Sequence, residues 1–145
     1  MLWYRKSVKR GGSIVWIAER NIGDMYEEGK GVLQNFAEAA RWWHRAAEHG
    51  SYWAHYDLGK LYAEGKDGVP QDRYKAYFHL FIASSDTSEH GAGNSAIKQR
   101  DEAEKRLGQY FASREKARAE EWLVAKKEIT RQQTKNKVKP LPLPD

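Results

Sequence analysis

A pattern of glycine, tyrosine and alanine occurs twice in this chain, at a nearly constant interval. Three pairs are 36 positions apart, Gly23/Gly59, Tyr26/Tyr62 and Gly29/Gly65. Five pairs are 37 positions apart, Gly31/Gly68, Val32/Val69, Asn35/Asp72, Ala39/Ala76 and Ala46/Ala83. One residue is therefore inserted between Gly65 and Gly68. A fixed period in the thirties indicates stacked helical repeats, whose units bury their apolar faces only against neighbouring units.

The first complete repeat, residues 13–50, is predicted to be two helices joined by a glycine turn. The first helix covers Ser13–Glu28 with its serine as the N-cap, and Gly29 ends it because glycine tolerates positive φ. Asn35 caps the second helix. The apolar residues of this second helix follow the i, i+3, i+4, i+7 spacing of an amphipathic helix: Phe36, Ala39, Ala40, Trp43, Ala46 and Ala47.

The second repeat, residues 51–85, follows the same plan with small departures. Its first helix is predicted over Tyr52–Glu64, and a loop then runs from Gly65 to Gln71. Asp72 caps the second helix, in which His79 stands where the first repeat has Trp42. The glycines inside both first helices cost about 1 kcal/mol relative to alanine, which indicates that a neighbouring backbone lies very close there.

The pattern is lost after residue 85, and a capping helix pair is predicted over residues 95–127. Its first helix covers Ser95–Phe111 and includes Tyr110 and Phe111 among its apolar residues, and Ser113 caps the last helix. Residues 128–145 are predicted to be a basic, proline-rich, disordered tail, because prolines at alternate positions near the end exclude a helix.

The first residues look like the second half of a repeat. Leu2–Arg10 is similar to Arg41–Glu48, with Trp3 in the place of Trp42. We therefore predict a partial repeat over residues 1–12. The chain is either a piece of a longer array or one whose first repeat has decayed to a cap, and a frayed terminal helix is an equal alternative.

The charge of the chain argues against a nucleic-acid-binding body. The net charge is +5, but residues 126–145 carry six Lys/Arg and two acids, which leaves the rest with 19 bases and 18 acids. A nucleic-acid-binding domain would need a basic face on its folded body. Binding to nucleic acid or membrane through the tail is kept as a third, weaker hypothesis.

Composition leaves the compartment open. No cysteine is present, so disulfides and thiolate chemistry are excluded. The sequence has neither a membrane-spanning apolar run nor the apolar core of a signal peptide, so a cytoplasmic or a periplasmic location is expected.

Motifs of catalysis or metal binding are not found. His44 and His49 are five residues apart and so do not share a helix face, and no His-Glu-x-x-His occurs. The glycines around Lys30 and Lys66 lack the spacing and the preceding strand of a phosphate-binding loop. We therefore predict a protein that is not an enzyme, with no cofactor, no metal and no small-molecule substrate.

The repeated pattern resembles the Sel-1-like repeat, a relative of the tetratricopeptide repeat. The first repeat matches at Ala18, Ile22, Gly23, Tyr26, Gly29, Gly31, Val32, Asn35, Ala39, Trp42, Ala46, Ala47 and Gly50. The second matches at Ala54, Leu58, Gly59, Tyr62, Gly65, Gly68, Val69, Asp72, Ala76 and Ala83, and departs at His79 and Ser84. The resemblance covers about residues 1–125.

This resemblance implies an all-α fold, a short right-handed solenoid of antiparallel helix pairs with about seven helices and a C-terminal capping pair. It also implies a function, since family members act as adaptors and scaffolds. Some bacterial members resemble immunity proteins that neutralise secreted toxins. The chain is accordingly predicted to be bacterial and to bind a protein or a peptide.

In tetratricopeptide geometry the first helix of each pair lines the concave face of the solenoid. Carried over to this chain, the predicted partner-binding residues are Ile17, Arg20, Asp24, Glu27, Trp53, Tyr56, Lys60 and Ala63. Trp, Tyr and Arg are the residue types enriched at binding hot spots. Two alternatives stay open: Trp53 packs against the neighbouring helix pair, and Arg20 and Lys60 form intramolecular pairs with Asp24, Glu27 or Glu64.

Two classes of function therefore remain. The first is a protein-protein interaction module, an adaptor or scaffold that binds on its concave face, with a toxin-immunity protein as a narrower form. The alternative is a structural element that self-associates through its terminal repeats.

Overall fold

The computed structural model describes residues 14–137, and their side chains as far as residue 135. Six α-helices make up this part of the chain: α1 Val15–Glu28, α2 Phe36–Glu48, α3 Tyr52–Glu64, α4 Arg73–Ser84, α5 Gly93–Leu107 and α6 Gln109–Lys137. The described residues contain no strand, only an isolated bridge between Lys66 and Val69. The predicted all-α solenoid is confirmed. None of these helices has the length and apolar character needed to span a bilayer.

Side-chain caps and glycines define the helix pairs α1–α2 and α3–α4. The Asn35 side chain accepts a hydrogen bond from the Glu38 amide at 3.0 Å, and the Asp72 side chain caps α4 in the same way. Gly29 and Gly65 end the two first helices with φ near +70°. Both predicted caps are thus confirmed.

The core is built from paired alanines and a few large side chains. Trp43 is 1% exposed and packs in one cluster with residues of α3 and α4. Its indole Nε1 donates a hydrogen bond to Asp24 at 2.9 Å. A Cβ on Gly23 would lie 2.5 Å from the Trp43 ring, and one on Gly59 would lie 2.6 Å from Leu80 Cγ. The two recurring glycines therefore mark the closest approach of the helices in each pair.

Substituting Gly59 by alanine is expected to lower the free energy of unfolding by about 1–3 kcal/mol, because the added Cβ overpacks a buried contact. The backbone nitrogen of Leu80 would be 3.2 Å from that Cβ, so moving the leucine side chain alone does not relieve the contact. In an exposed helix the same substitution gains up to about 1 kcal/mol. Urea unfolding followed by circular dichroism measures the sign.

The double variant Gly59→Ala/Leu80→Ala is the matched comparison for this substitution. Removing the leucine side chain takes away most of the overlap, so the two losses should be less than additive. A Gly59→Ala protein that is more stable than the wild type would contradict a close contact at this position.

The break between the last two helices lies earlier than predicted. Gly108 ends α5 with φ +87°, and α6 begins at Gln109. Ser113 is therefore not a cap, and its hydroxyl instead donates to the Gln109 carbonyl at 2.9 Å inside α6. Tyr110 and Phe111, predicted to be apolar residues of the preceding helix, are 73% and 41% exposed on α6. The glycine determined the break, since positive φ is open to it at little cost.

The last helix also ends later than predicted. It continues to Lys137, so the first ten residues of the segment predicted as a flexible tail are helical. They are rich in Lys, Arg, Gln and Glu, which have high helix propensity, and Arg131 pairs with Glu128 one turn earlier at 3.8 Å. The proline-rich residues 138–145 lie outside the described residues. The same holds for the partial repeat predicted over residues 1–12 and for the Ser13 cap.

The helix α6 packs mainly along α4 and also reaches the first repeat. The Arg118 guanidinium lies 5.7 Å from the Phe78 ring of α4. Further along, Trp122 contacts His55 of α3 edge-on at 4.9 Å, and Lys126 Nζ donates to the Glu48 carbonyl of α2. One helix thus contacts both complete repeats.

Three histidines meet beneath α6, one each from α2, α3 and α4. The Nδ1 atoms of His55 and His79 are 2.9 Å apart, and His44 Nε2 lies 3.0 Å from the Tyr62 hydroxyl. His55 and His79 are 3% and 7% exposed. Burial lowers the pKa of His55 to about 3 and that of His79 well below its usual value, so both are neutral at pH 7. Within residues 14–137 no cluster of three or more His, Cys, Asp or Glu has a metal-binding arrangement.

Candidate functional site

The predicted partner-binding residues come from α1 and α3, and we call the surface they form the first-helix face. It comprises Ile17, Arg20, Asp24, Glu27, Trp53, Tyr56, Lys60 and Ala63, none of which is fully buried. Arg20 of α1 contacts Trp53 of α3, and Asp24, Tyr56 and Lys60 join this pair through contacts along their own helices. Ile17 is 39% exposed at one end of the face, and Ala63 borders a groove at the other.

Arg20 links the two helices of this face. Its Nε atom donates to Asp57 Oδ2 at 2.7 Å, and a second nitrogen lies 3.7 Å from Asp24. Its guanidinium is also 5.6 Å from the centre of the Trp53 ring. The predicted ion pair with Asp24 is therefore present. The ion pair with Asp57, which lies one turn beyond Trp53, has the shorter distance of the two and was missed by the sequence analysis.

Trp53 and Tyr56 form a partly buried aromatic pair. Their rings meet edge to face, with centroids 5.7 Å apart and planes at 90°. Both pack against a small cluster around Ala92 and Ala96 at the start of α5. Gln99 of α5 also donates to the Tyr56 hydroxyl at 2.8 Å. The alternative in which Trp53 packs on the neighbouring pair is thus realised in part, and α5 adjoins the first-helix face.

The charges on this face are unevenly distributed. Three carboxylates, of Asp24, Glu27 and Asp57, surround the single Arg20. Burial raises the pKa of Asp57, although the hydrogen bond from Arg20 opposes this effect. Burial likewise raises the pKa of Glu27, and Lys60 opposes it. The α1 side is therefore acidic, and its carboxylates are only partly compensated.

The opposite end of the face opens into a groove between α3, α4 and α5, which we call the α3–α5 groove. It has a volume of about 370 Å³ and a floor of Ala76, Leu80 and Ala103. Lys60 and Ala63 belong to both the groove and the first-helix face. The charged residues that line the groove are Lys60, Glu64, Arg73, Lys98, Glu102 and Arg106.

The contribution of α5 to this site was missed by the sequence analysis. First-helix positions were carried through two repeats only, because the glycine and tyrosine pattern ends before α5. A signal was nevertheless present, since Lys98, Glu102 and Arg106 are spaced i, i+4, i+8 and so lie along one face of the helix. Lys60 forms no ion pair with a described residue, and its ammonium lies 5.0 Å from the Tyr56 ring.

Comparison with known protein families identifies the two repeats. The family model described as "Sel1 repeat" matches residues 16–51 and 54–87. The predicted repeats, residues 13–50 and 51–85, overlap these two ranges. No curated protein matches the sequence significantly.

A solved structure shares the fold over nearly the whole chain. It is the crystal structure of c5321, described as a protective antigen present in uropathogenic Escherichia coli strains displaying an SLR fold. The TM-score is 0.69 and the sequence identity 25%, and the match covers 99% of the present chain but 29% of that chain. The present chain therefore spans less than a third of the length of that protein.

Proposed function

Because the chain is a Sel1-repeat protein, we propose that it is a non-catalytic adaptor that holds a segment of a partner protein on its first-helix face. Repeats of this family generally mediate protein–protein interaction. The choice of this face is our own inference, and it depends on the residues of α1, α3 and α5 that are brought together there.

The observation that supports this proposal most is the chemistry of the partly exposed centre of the face. An arginine, a tryptophan and a tyrosine stand in a row, with Arg20 against Trp53 and Trp53 against Tyr56. These three residue types are enriched among the few hot-spot residues that carry most of the binding energy at protein interfaces. Each keeps part of its surface open to solvent, so a partner segment has side chains to contact.

The same side chains are held in place before any partner arrives. Asp57 fixes the guanidinium of Arg20, and Gln99 fixes the hydroxyl of Tyr56. Ordering a side chain on binding costs about 0.5–1.5 kcal/mol, so residues that are already ordered bind with less loss of entropy. This preorganisation favours a recognition surface over a face that is merely solvated.

Affinity capture with a pair of matched variants tests the proposal. The double variant Ile17→Asp/Lys60→Glu changes both ends of the first-helix face. A partner that the wild type retains stoichiometrically should be captured by this variant at least tenfold less. The reason is that Ile17→Asp places a charge on an apolar contact and Lys60→Glu reverses a charge. Ile17 is 39% exposed and Lys60 is partly exposed, so the helices should remain folded, as circular dichroism would verify.

The control is Ile129→Asp/Lys127→Glu on α6, which makes the same chemical changes at exposed positions away from this face. It should retain the partner as the wild type does. Equal capture by both variants would place the binding surface elsewhere. Recovery of only further copies of this chain would favour the self-assembly alternative and overturn the adaptor proposal.

The identity of the captured protein decides the narrower form of the proposal. A single secreted toxin, held in a one-to-one complex that abolishes its activity, would make the chain an immunity protein. A partner that keeps its activity in the complex would make it a scaffold.

A further inference from the structure

The α3–α5 groove has an excess of positive charge. Four of the charged residues that line it are bases and two are acids. The excess is local, because the chain as a whole outside its last twenty residues is close to neutral. A concave site with one sign of charge attracts ligands of the opposite sign.

The basic side chains of the groove form no close ion pairs within the described part of the chain, although Lys60 acts electrostatically on Glu27 from a greater distance. Among the described residues, no carboxylate forms an ion pair with Lys60, Arg73, Lys98 or Arg106. Glu64 is instead paired with Lys66, at 2.9 Å. The groove therefore holds four bases and two acids, and none of the four bases forms an ion pair with a described carboxylate.

The floor of the groove is apolar. Ala76 and Leu80 are each 1% exposed and Ala103 is 9% exposed, so the apolar lining residue that a ligand can contact is the partly exposed Ala63, which the bases surround at the rim. An apolar floor with a charged rim matches a ligand that carries both an apolar group and negative charges. An extended peptide has this chemistry when acidic residues flank an apolar one.

We propose that the α3–α5 groove binds an acidic segment of the partner protein, with Lys98 and Arg106 pairing its carboxylates and one apolar side chain against the partly exposed Ala63. This inference rests on the proposed adaptor function and specifies its partner. Arg106 offers a planar fork that pairs with a carboxylate through two hydrogen bonds. The volume of about 370 Å³ is of a size to hold a few side chains of a peptide segment.

Fluorescence anisotropy with a defined probe tests the proposal. The probe is a fluorescein-labelled peptide of sequence Gly-Asp-Glu-Leu-Glu-Asp-Gly, and its neutral counterpart is Gly-Asn-Gln-Leu-Gln-Asn-Gly. In 50 mM salt we expect the acidic peptide to bind at least tenfold more tightly than the neutral one. The preference should shrink as salt is raised, because the attraction between partly exposed charges is screened.

A matched pair of variants separates the groove from general charge. Lys98→Glu/Arg106→Glu reverses two bases of the groove, and Lys105→Glu/Arg114→Glu makes the same change at exposed positions that do not line it. The first pair should lower the affinity for the acidic peptide at least tenfold, and the second should change it less than twofold. Each pair removes one base from the last turn of α5, so effects on the helix itself are matched.

Three outcomes would overturn the proposal. One is the absence of acidic-peptide binding up to millimolar concentration, and another is an equal loss in the two variants. The third is that an oligouridylate of eight nucleotides binds more tightly than the acidic peptide, which would assign the groove to nucleic acid. The capture experiment changes Lys60, which belongs to both surfaces, but neither Lys98 nor Arg106. A partner lost there together with a peptide that fails here would leave the adaptor function standing and reject only the acidic segment.

Discussion

Substituting Trp43 by alanine should lower the free energy of unfolding by about 3–5 kcal/mol, the range for large aromatic deletions in a core. The indole is 1% exposed at the centre of the main cluster. Gly23 already approaches the ring as closely as the backbones allow, so the helices have little means of closing the cavity. The loss also leaves Asp24 without its hydrogen bond from the indole nitrogen. Urea unfolding followed by circular dichroism measures the change.

Trp42→Ala is the matched control, because this neighbouring indole is only partly buried and is covered by Arg45 at 4.7 Å. It should cost clearly less than the loss of Trp43. Similar losses in the two variants would show that the contact between Trp43 and Gly23 does not hold the first repeat together.

Acidification from pH 7.5 to pH 5 should destabilise the folded protein, by about 2 kcal/mol for each histidine that stays neutral. Burial lowers the pKa of His55 to about 3 and lowers the pKa of His79 well below its usual value, while in the unfolded chain both have pKa values near 6.5. Below pH 6.5 the unfolded state therefore binds protons that the folded state does not. The stability that comes from keeping these two histidines neutral is fully present above pH 6.5, and it is lost as the pH drops toward their folded-state pKa values.

The neighbouring charges support this direction. His44 of the same cluster and Lys126 of α6 both lower the pKa of His55, and Lys75 acts in the same way on His79. The pKa of Asp57 is raised in the folded protein, so its protonation at lower pH stabilises the folded state. This effect is opposite to that of the histidines. A measurement between pH 7.5 and pH 5 keeps the histidine effect dominant.

The measurement is the midpoint of urea unfolding as a function of pH. Replacing both buried histidines, His55→Leu/His79→Leu, should flatten the profile between pH 7.5 and pH 5. His90→Gln is the control, since this histidine is exposed in the loop before α5, and it should leave the profile unchanged. A wild-type midpoint that stays constant over this range would contradict the burial of neutral histidines.

The sequence predicted the repeats well because their pattern is set by local geometry. Glycines that end helices, side chains that cap them and small residues at close contacts have few alternatives, so Asn35, Asp72, Gly29 and Gly65 could be placed without a structure. The same logic failed at the last helix pair. There the apolar character of Tyr110 and Phe111 predicts that they continue the preceding helix, whereas Gly108 ends that helix before them.

The candidate site could be predicted only in part, and for a different reason. Positions of α1 and α3 follow from the repeat, and the contact of Arg20 with Trp53 joins the two helices there. The pairing of Arg20 with Asp57 and the approach of α5 depend on how helices pack across repeats. A periodic pattern carries no information on that packing once the pattern ends, so Lys98 and Arg106 were not included.

The path of the last helix has a consequence for how this protein loses its structure. In a linear array each unit touches only its neighbours, so the ends can melt while the middle persists. Here Lys126 of α6 donates a hydrogen bond to the Glu48 carbonyl, which lies 78 residues earlier in the chain, and Trp122 of α6 contacts His55. Opening either repeat therefore requires the release of the same helix. The described part of the chain should behave thermodynamically as one cooperative body instead of a row of separable units.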